Sequence, residues 1–323
     1  MGVEEHRPFK AVPARTARFA IAATISLVLL AVCTAAAGPT RASRAATQNS
    51  AARATVGPAT VVAAGDIACP DPCAGTLQTS ELVLSLAPDA VLTLGDNQYP
   101  DASVSRFAAS YDPTWGRFKP ITYPATGNHE YATQDAAGYF EYFGERANPP
   151  DGWYSFDLGA WHLVALNSRT GGMPAGRQIR WLERDLQRNP ARCTLAYWHH
   201  PRWSSGEKHG SDADMDPFWQ TAYREGVDVV LNGHEHHYER FTRLSLGGSK
   251  NRNGVRQFVV GSGGAETYPF DARALLTSES RIEARGVLEL TLRAGRYAWS
   301  FHTTSGVVAD TGETKCQDGG RSV

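Results

Sequence analysis

Residues 59–66 read ATVVAAGD and residues 89–96 read DAVLTLGD. Each is a short apolar run that stops at Gly-Asp. A run of this length closed by turn-forming residues predicts a buried strand. The stretch between them, TSELVLSLA (79–87), suggests a helix. A third strand follows in ITYPATGNHE (121–130), a fourth in TLAYWHHP (194–201) and a fifth in VDVVLNGHEHH (227–237). WYSFDLGAWHLVALNS (153–168) predicts a hairpin with Leu158, Gly159 and Ala160 at its turn. Residues 176–188 have helical spacing through Ile179, Leu182 and Leu186, and 216–225 predicts another helix. QFVVGSGG (257–264), VLELTLRAG (287–295) and RYAWSFHTT (296–304) close the chain as strands. Strands alternating with helices, then strands in succession, indicate one layered α/β domain with an antiparallel component.

One regularity outweighs any single element. Asp66, Asp96, Asn128, His199 and His234 each stand just past an apolar strand. In open α/β sheets ligands bind beyond the carboxyl ends of the strands. Five strands are therefore expected to deliver these side chains, with His236, to one edge. Carboxylates, an amide oxygen and imidazoles together suit Fe, Zn or Mn better than Ca or Mg. Six or seven such donors are enough for two metals, and a carboxylate such as Asp96 can bridge them.

The strings Gly65-Asp66, Gly95-Asp96-Asn97-Gln98-Tyr99, Gly127-Asn128-His129-Glu130, His199-His200-Pro201 and Gly233-His234-Glu235-His236 occur in a fixed order over residues 61–240. In this the chain resembles the calcineurin-like metallophosphoesterases, and within them the purple acid phosphatase branch. The resemblance implies a four-layer α/β/β/α sandwich, two mixed sheets flanked by helices. It implies one metal held by Asp66, Asp96, Tyr99 and His236, and a second held by Asp96, Asn128, His199 and His234. A phenolate at Tyr99 would favour Fe(III), partnered by a divalent Zn, Fe or Mn. The expected activity is hydrolysis of small phosphate monoesters by a metal-activated hydroxide. Asn128, His129 and His209 would face the substrate, with His129 protonating the departing oxygen. A phosphodiesterase or nucleotide hydrolase on the same centre is the alternative. A degenerate scaffold used for binding would lack Asp96, Asn128 or a histidine, and this chain retains them. His200 and His237 beside ligands, and His162 and His302 elsewhere, read as supporting or packing residues. Arg240 reads as a phosphate contact or a salt-bridge partner, and Trp203 as a shaper of the pocket mouth. The plant-type enzymes' additional N-terminal β-sandwich has no counterpart expected here.

The chain has 323 residues, 42% hydrophobic and 20% charged, with a formal net charge of −1. Such a balance gives no basic block for nucleic acid and no acidic tail. Arg7, Lys10, Arg15 and Arg18 precede an uncharged run from Phe19 to Thr40. Residues 1–37 thus read as an export signal, or as a retained membrane anchor. Residues 38–58 read as an Ala/Thr/Ser/Arg-rich linker, 59–316 as the enzyme domain and 317–323 as a tail. Export fits the cysteines. With Cys33 removed, Cys69 and Cys73 would close a short loop, leaving Cys193 to pair with Cys316. Metal binding by Cys69 and Cys73 is the alternative, although two ligands make an incomplete site.

Overall fold

The computed structural model describes residues 57–70, 73–168, 176–189, 191 and 193–317. The expected export segment, the linker up to residue 56 and the tail beyond 317 lie outside them. Thirteen strands are formed among the described residues: β1 (Ala59–Ala64), β2 (Ala90–Leu94), β3 (Thr122–Ala125), β4 (Tyr154–Leu158), β5 (Trp161–Ala165), β6 (Cys193–Tyr197), β7 (Val229–Asn232), β8 (Tyr238–Leu244), β9 (Val255–Val260), β10 (Ser278–Ile282), β11 (Gly286–Arg293), β12 (Arg296–Thr303) and β13 (Val308–Lys315). The α-helices are α1 (Ala74–Leu86), α2 (Val104–Arg106), α3 (Ala137–Phe143), α4 (Gly176–Arg188) and α5 (Asp216–Arg224).

They build two mixed sheets flanked by helices, in the orders β13-β12-β11-β1-β2-β3 and β10-β8-β9-β7-β6-β5-β4. The strands that carry the motifs, β1 to β3 in one sheet and β6 and β7 in the other, are parallel within their sheets. Their carboxyl ends therefore open on one edge of each sheet. The hairpin β4–β5 turns at Gly159 and Ala160, while Leu158, expected in the turn, ends β4 and pairs with Trp161.

Alternation along the second sheet explains its near-continuous apolar strands. Leu163, Leu195, Tyr197, Val229, Leu231 and Phe258 join the cluster shared with Val61, Leu92 and Leu290 of the first sheet. Val164, Ala196, Val230 and Val259 point the other way, onto Leu182 and Leu186 of α4 and Phe218 and Trp219 of α5. Side chains of period two that are apolar on both faces need a covering layer on each side. Each fully buried Leu or Val stabilises the fold by roughly 1.5–3 kcal/mol.

Two covalent ties complete the domain, Cys69–Cys73 and Cys193–Cys316. Cys69 and Cys73 are bonded to each other, so neither thiolate is available as a metal ligand. Asp228 reinforces the second tie by accepting the N–H groups of Thr194 at 2.9 Å and Gln317 at 2.5 Å.

His162 of β5 is buried between two carboxylates, Asp157 of β4 and Asp185 of α4, each 2.8 Å from a ring nitrogen. Burial alone would lower its pKa. The hydrogen bonds and charges of Asp185 and Asp157 outweigh burial, and the pKa is raised. Stability from this cluster is therefore fully present below about 6.5, the unfolded value, and is lost as pH rises through the higher folded value. The expected result is a melting-temperature gap between wild type and His162→Gln that is widest in acid and narrows above neutrality. A gap independent of pH, in parallel thermal melts, would refute the charged cluster.

Candidate metal centre

The structure brings every sequence-selected donor to that common edge. Asp66 follows β1, Asp96 β2, Asn128 β3, His199 β6, and His234 and His236 β7. Three of them take left-handed backbone, at φ of 60° for Asp66, 48° for Asp96 and 73° for His234. Non-glycine residues rarely pay that steric cost without a compensating role.

Two donor sets result. In the first, the Tyr99 hydroxyl lies 2.8 Å from Asp66 Oδ1, 3.1 Å from Asp96 Oδ2 and 3.0 Å from His236 Nε2. His236 Nε2 is 3.2 Å from Asp66 Oδ1. In the second, His199 Nε2 lies 3.3 Å from Asp96 Oδ2, 3.1 Å from Asn128 Oδ1 and 3.2 Å from His234 Nδ1. Donors bonded to one ion at about 2.0–2.2 Å stand roughly 2.8–3.6 Å from their neighbours. Both sets meet that spacing, so the residues fit a pair of metal ions. Asp96 Oδ2 belongs to both sets.

The remaining atoms of these side chains fix their orientation. His199 Nδ1 donates to the Leu94 carbonyl at 2.8 Å and His236 Nδ1 to the Glu266 carbonyl at 2.7 Å. Each bond turns Nε2 toward the donor set. Asp66 Oδ2 accepts the His234 N–H and Asp96 Oδ1 the His129 N–H, both at 2.8 Å. A Cβ on Gly127 would fall 2.2 Å from Asp96 Oδ1, so only glycine lets the β3 turn approach this closely.

Charge follows the same geometry. Burial would raise the Asp96 pKa, but His199 and His129 hold the carboxyl well below the usual range. Burial would lower that of His199, but Asp96 and Asp66 push it up to about 9. Burial and the charges of Asp66 and Asp96 push the Tyr99 phenol well above its ordinary value. A cation among these groups would reverse the local balance for Tyr99.

Around the donors stand further histidines. His129 lies against the Tyr99 ring, centroids 4.3 Å apart, with Nδ1 2.6 Å from the Pro100 carbonyl and Nε2 3.8 Å from Asp96 Oδ2. His209 stacks on His234 at 4.2 Å. His200 comes nearer than its sequence reading implied. One of its ring nitrogens lies within 4.8 Å of donor nitrogens of His199 and His234, and Nδ1 bonds Ser168 Oγ.

Other selected residues lie in the framework. Arg240 pairs with Asp310 at 2.7 Å and with Glu279, which resolves it as a salt-bridge residue. Trp203 is half-buried, packed on Trp219 and under the Arg202 guanidinium at the edge of the second apolar cluster. His237 is buried against Phe270, and His302 bonds Glu289. Asn97 and Gln98 bind backbone carbonyls and hold the turn.

Two residues inside the quoted motifs have roles the sequence reading did not assign. Glu130 is fully buried and accepts three backbone N–H groups, from Asp96 at 2.9 Å, Asn97 at 2.8 Å and Gly127 at 2.5 Å. It thereby ties the Asp96 turn to the Asn128 turn. Burial and Asp96 push its pKa up to about 7. The other is Glu235, between His234 and His236. A carboxylate within a strand-end motif is the signal that could have found both.

Comparison with known proteins points to one family. The calcineurin-like phosphoesterase family matches residues 59–238. Purple acid phosphatase 15 of Arabidopsis thaliana is 28% identical over 206 residues, covering 52% of this chain and 39% of that protein. Acid phosphatase type 7 of Homo sapiens is 28% identical over 251 residues, covering 65% and 56%. The chain thus spans about half the length, or less, of these relatives. Among solved structures, purple acid phosphatase PPD1 from yellow lupin (Lupinus luteus) superposes with a TM-score of 0.67 at 21% identity, over 80% of this chain and 54% of that one. The inner-membrane-complex anchor GAP50 of Plasmodium shares the fold at a TM-score of 0.64 and 13% identity, over 82% and 90%. With its motifs, their order and their strand-end placement accounted for, the chain belongs to the calcineurin-like phosphoesterase family, on its purple acid phosphatase-like branch.

Proposed function

We propose that this protein is an exported acid phosphatase that hydrolyses small phosphate monoesters at a dinuclear centre of Fe(III) and a divalent Zn, Fe or Mn. The observation that carries the reading is the pair of donor sets sharing Asp96 Oδ2. Asp66, Asp96, Tyr99 and His236 would hold one ion, and Asp96, Asn128, His199 and His234 the other. Two such ions supply Lewis-acid polarisation of the phosphate and an activated water at neutral pH.

The chain's own part is orientation and proton delivery. Nδ1 of His129 donates to the Pro100 carbonyl, which leaves Nε2, the nitrogen facing Asp96, as the position for proton transfer. A proton carried at that Nε2 can pass to the departing ester oxygen, a general-acid role worth roughly 10²–10⁴-fold. Asn128 and His209 face the same space and orient the phosphate. Export is supported by the charged and apolar N-terminal sequence and by the two disulfides. No helix among the described residues is long and apolar enough to cross a membrane.

Metal analysis and a visible spectrum of the purified protein test this. Two ions per chain including iron, with a broad visible band that Tyr99→Phe abolishes, are expected. Two ions without the band would remove Tyr99 from the ligand set. A protein that binds no metal and hydrolyses no phosphomonoester after addition of Fe, Zn or Mn would refute the reading.

A further inference from the structure

Two histidines and two glutamates of residues 234–239 send their side chains to different places. His234 and His236 turn toward the donor sets. Glu235 and Glu239 turn to the opposite side, against the loop formed by residues 204–210. Glu235 is fully buried. Its Oε1 accepts the backbone N–H of His209 at 2.7 Å and also that of Gly210. Glu239 holds the start of the same loop, accepting the N–H of Ser205 at 2.9 Å.

The fit is close from the loop side as well. A Cβ on Gly206 would fall 2.3 Å from Glu235 Cδ, so the carboxylate occupies the space that any other residue would fill. Gly210 continues the turn with φ of 71°. Between these glycines the loop has no helix or strand of its own to hold His209. The exposed His209 ring nevertheless stacks on the half-buried ring of His234.

We propose that Glu235 is the positioning residue of His209: the carboxylate between two metal ligands sets where the substrate-facing histidine stands. The inference rests on the proposed phosphatase function for its kinetic consequence and on the geometry alone for its structural one. The two N–H groups bonded to one buried carboxylate fix the backbone of residues 209 and 210. Without them the ring can leave His234, and misplacement by about 1 Å can cost up to about 10²-fold in rate.

The test compares wild type, Glu235→Ala, Glu235→Gln, Gly206→Ala, His209→Ala and the Glu235→Ala/His209→Ala double variant, all as metal-loaded full chains. Metal content, amide hydrogen exchange at residues 209 and 210, affinity for inorganic phosphate, and kcat and KM are measured. Glu235→Ala is expected to keep both metals and to lose exchange protection at His209 and Gly210 by at least about tenfold. Its phosphate affinity and kcat/KM should fall as far as those of His209→Ala, with the double variant no worse than either. Gly206→Ala should produce the same pattern by pushing the carboxylate away. Glu235→Gln should recover most of the loss, since its amide oxygen still accepts both N–H groups. Additive losses in the double variant, loss of metal in Glu235→Ala, or unchanged exchange would overturn the inference. If wild type binds phosphate but turns nothing over, the phosphatase reading fails, while exchange and phosphate affinity still decide the role of Glu235.

Discussion

Replacing Asp96 with alanine is expected to lower kcat/KM by at least about 10³-fold, because it removes the one oxygen common to both donor sets and with it several kcal/mol of transition-state stabilisation. The loss should appear as metal as well as rate. Each set keeps three of its four donors, and those three no longer share an atom. The variant should therefore hold fewer than two ions per chain after gel filtration. Folding itself should survive, since Asp96 belongs to neither apolar cluster. Circular dichroism of the variant, metal analysis and phosphomonoester kinetics check the three statements together. A variant with two ions and kcat/KM within about tenfold of wild type, a difference of only 1.4 kcal/mol, would refute the bridging assignment.

Glu130→Ala should have the second largest effect, although Glu130 touches neither substrate nor metal. Three buried backbone N–H groups would lose their acceptor, and each such group left unsatisfied costs about 1–3 kcal/mol. The turns after β2 and β3 would lose their common anchor, so Asp96 and Asn128 would no longer be held in register with His199. The expected result is a stability loss of about 3 kcal/mol or more, with metal affinity and kcat/KM reduced about 10–100-fold. Denaturant unfolding and metal titration measure the two parts. Glu130→Gln should lose less of both, because its amide oxygen still accepts. Wild-type metal affinity in Glu130→Ala would show that the turns hold their shape without the carboxylate.

Much of this architecture is legible in the sequence, for a physical reason. β1, β2, β6 and β7 are buried on both faces, so their apolar runs are unbroken and their polar terminators stand out. β8, β10 and β13 escape the same reading. β13 (VADTGETK) is an edge strand that alternates between exposed and half-buried positions, and its polar composition resembles a loop. β10 (SESRI) is the opposite edge of the second sheet and has the same character. β8 (YERFTRL) carries charges that look solvated until tertiary structure supplies their partners, Asp310 and Glu279 for Arg240 and Ser205 for Glu239. Four of the candidate donors, Asp66, Asp96, His199 and His234, are readable because each is the first polar group past a strand, and Tyr99, Asn128 and His236 follow within the same motifs. Glu130 and Glu235 show in the sequence only as carboxylates inside strand-end motifs, without their roles. Their partners are backbone N–H groups brought close only by folding, and sequence spacing does not encode them. His209 has a similar history: ten residues separate it from His199, and only the loop's path returns it to His234.

The donors hang from different layers. Asp66, Asp96, Tyr99 and Asn128 belong to the sheet of β1 to β3, and His199, His234 and His236 to the sheet of β6 and β7. Neither donor set is complete within one sheet. An ion seated there is a rivet through the seam as well as a reagent: for the layers to part they must first release it, so the strength of its binding is added to the work of opening them.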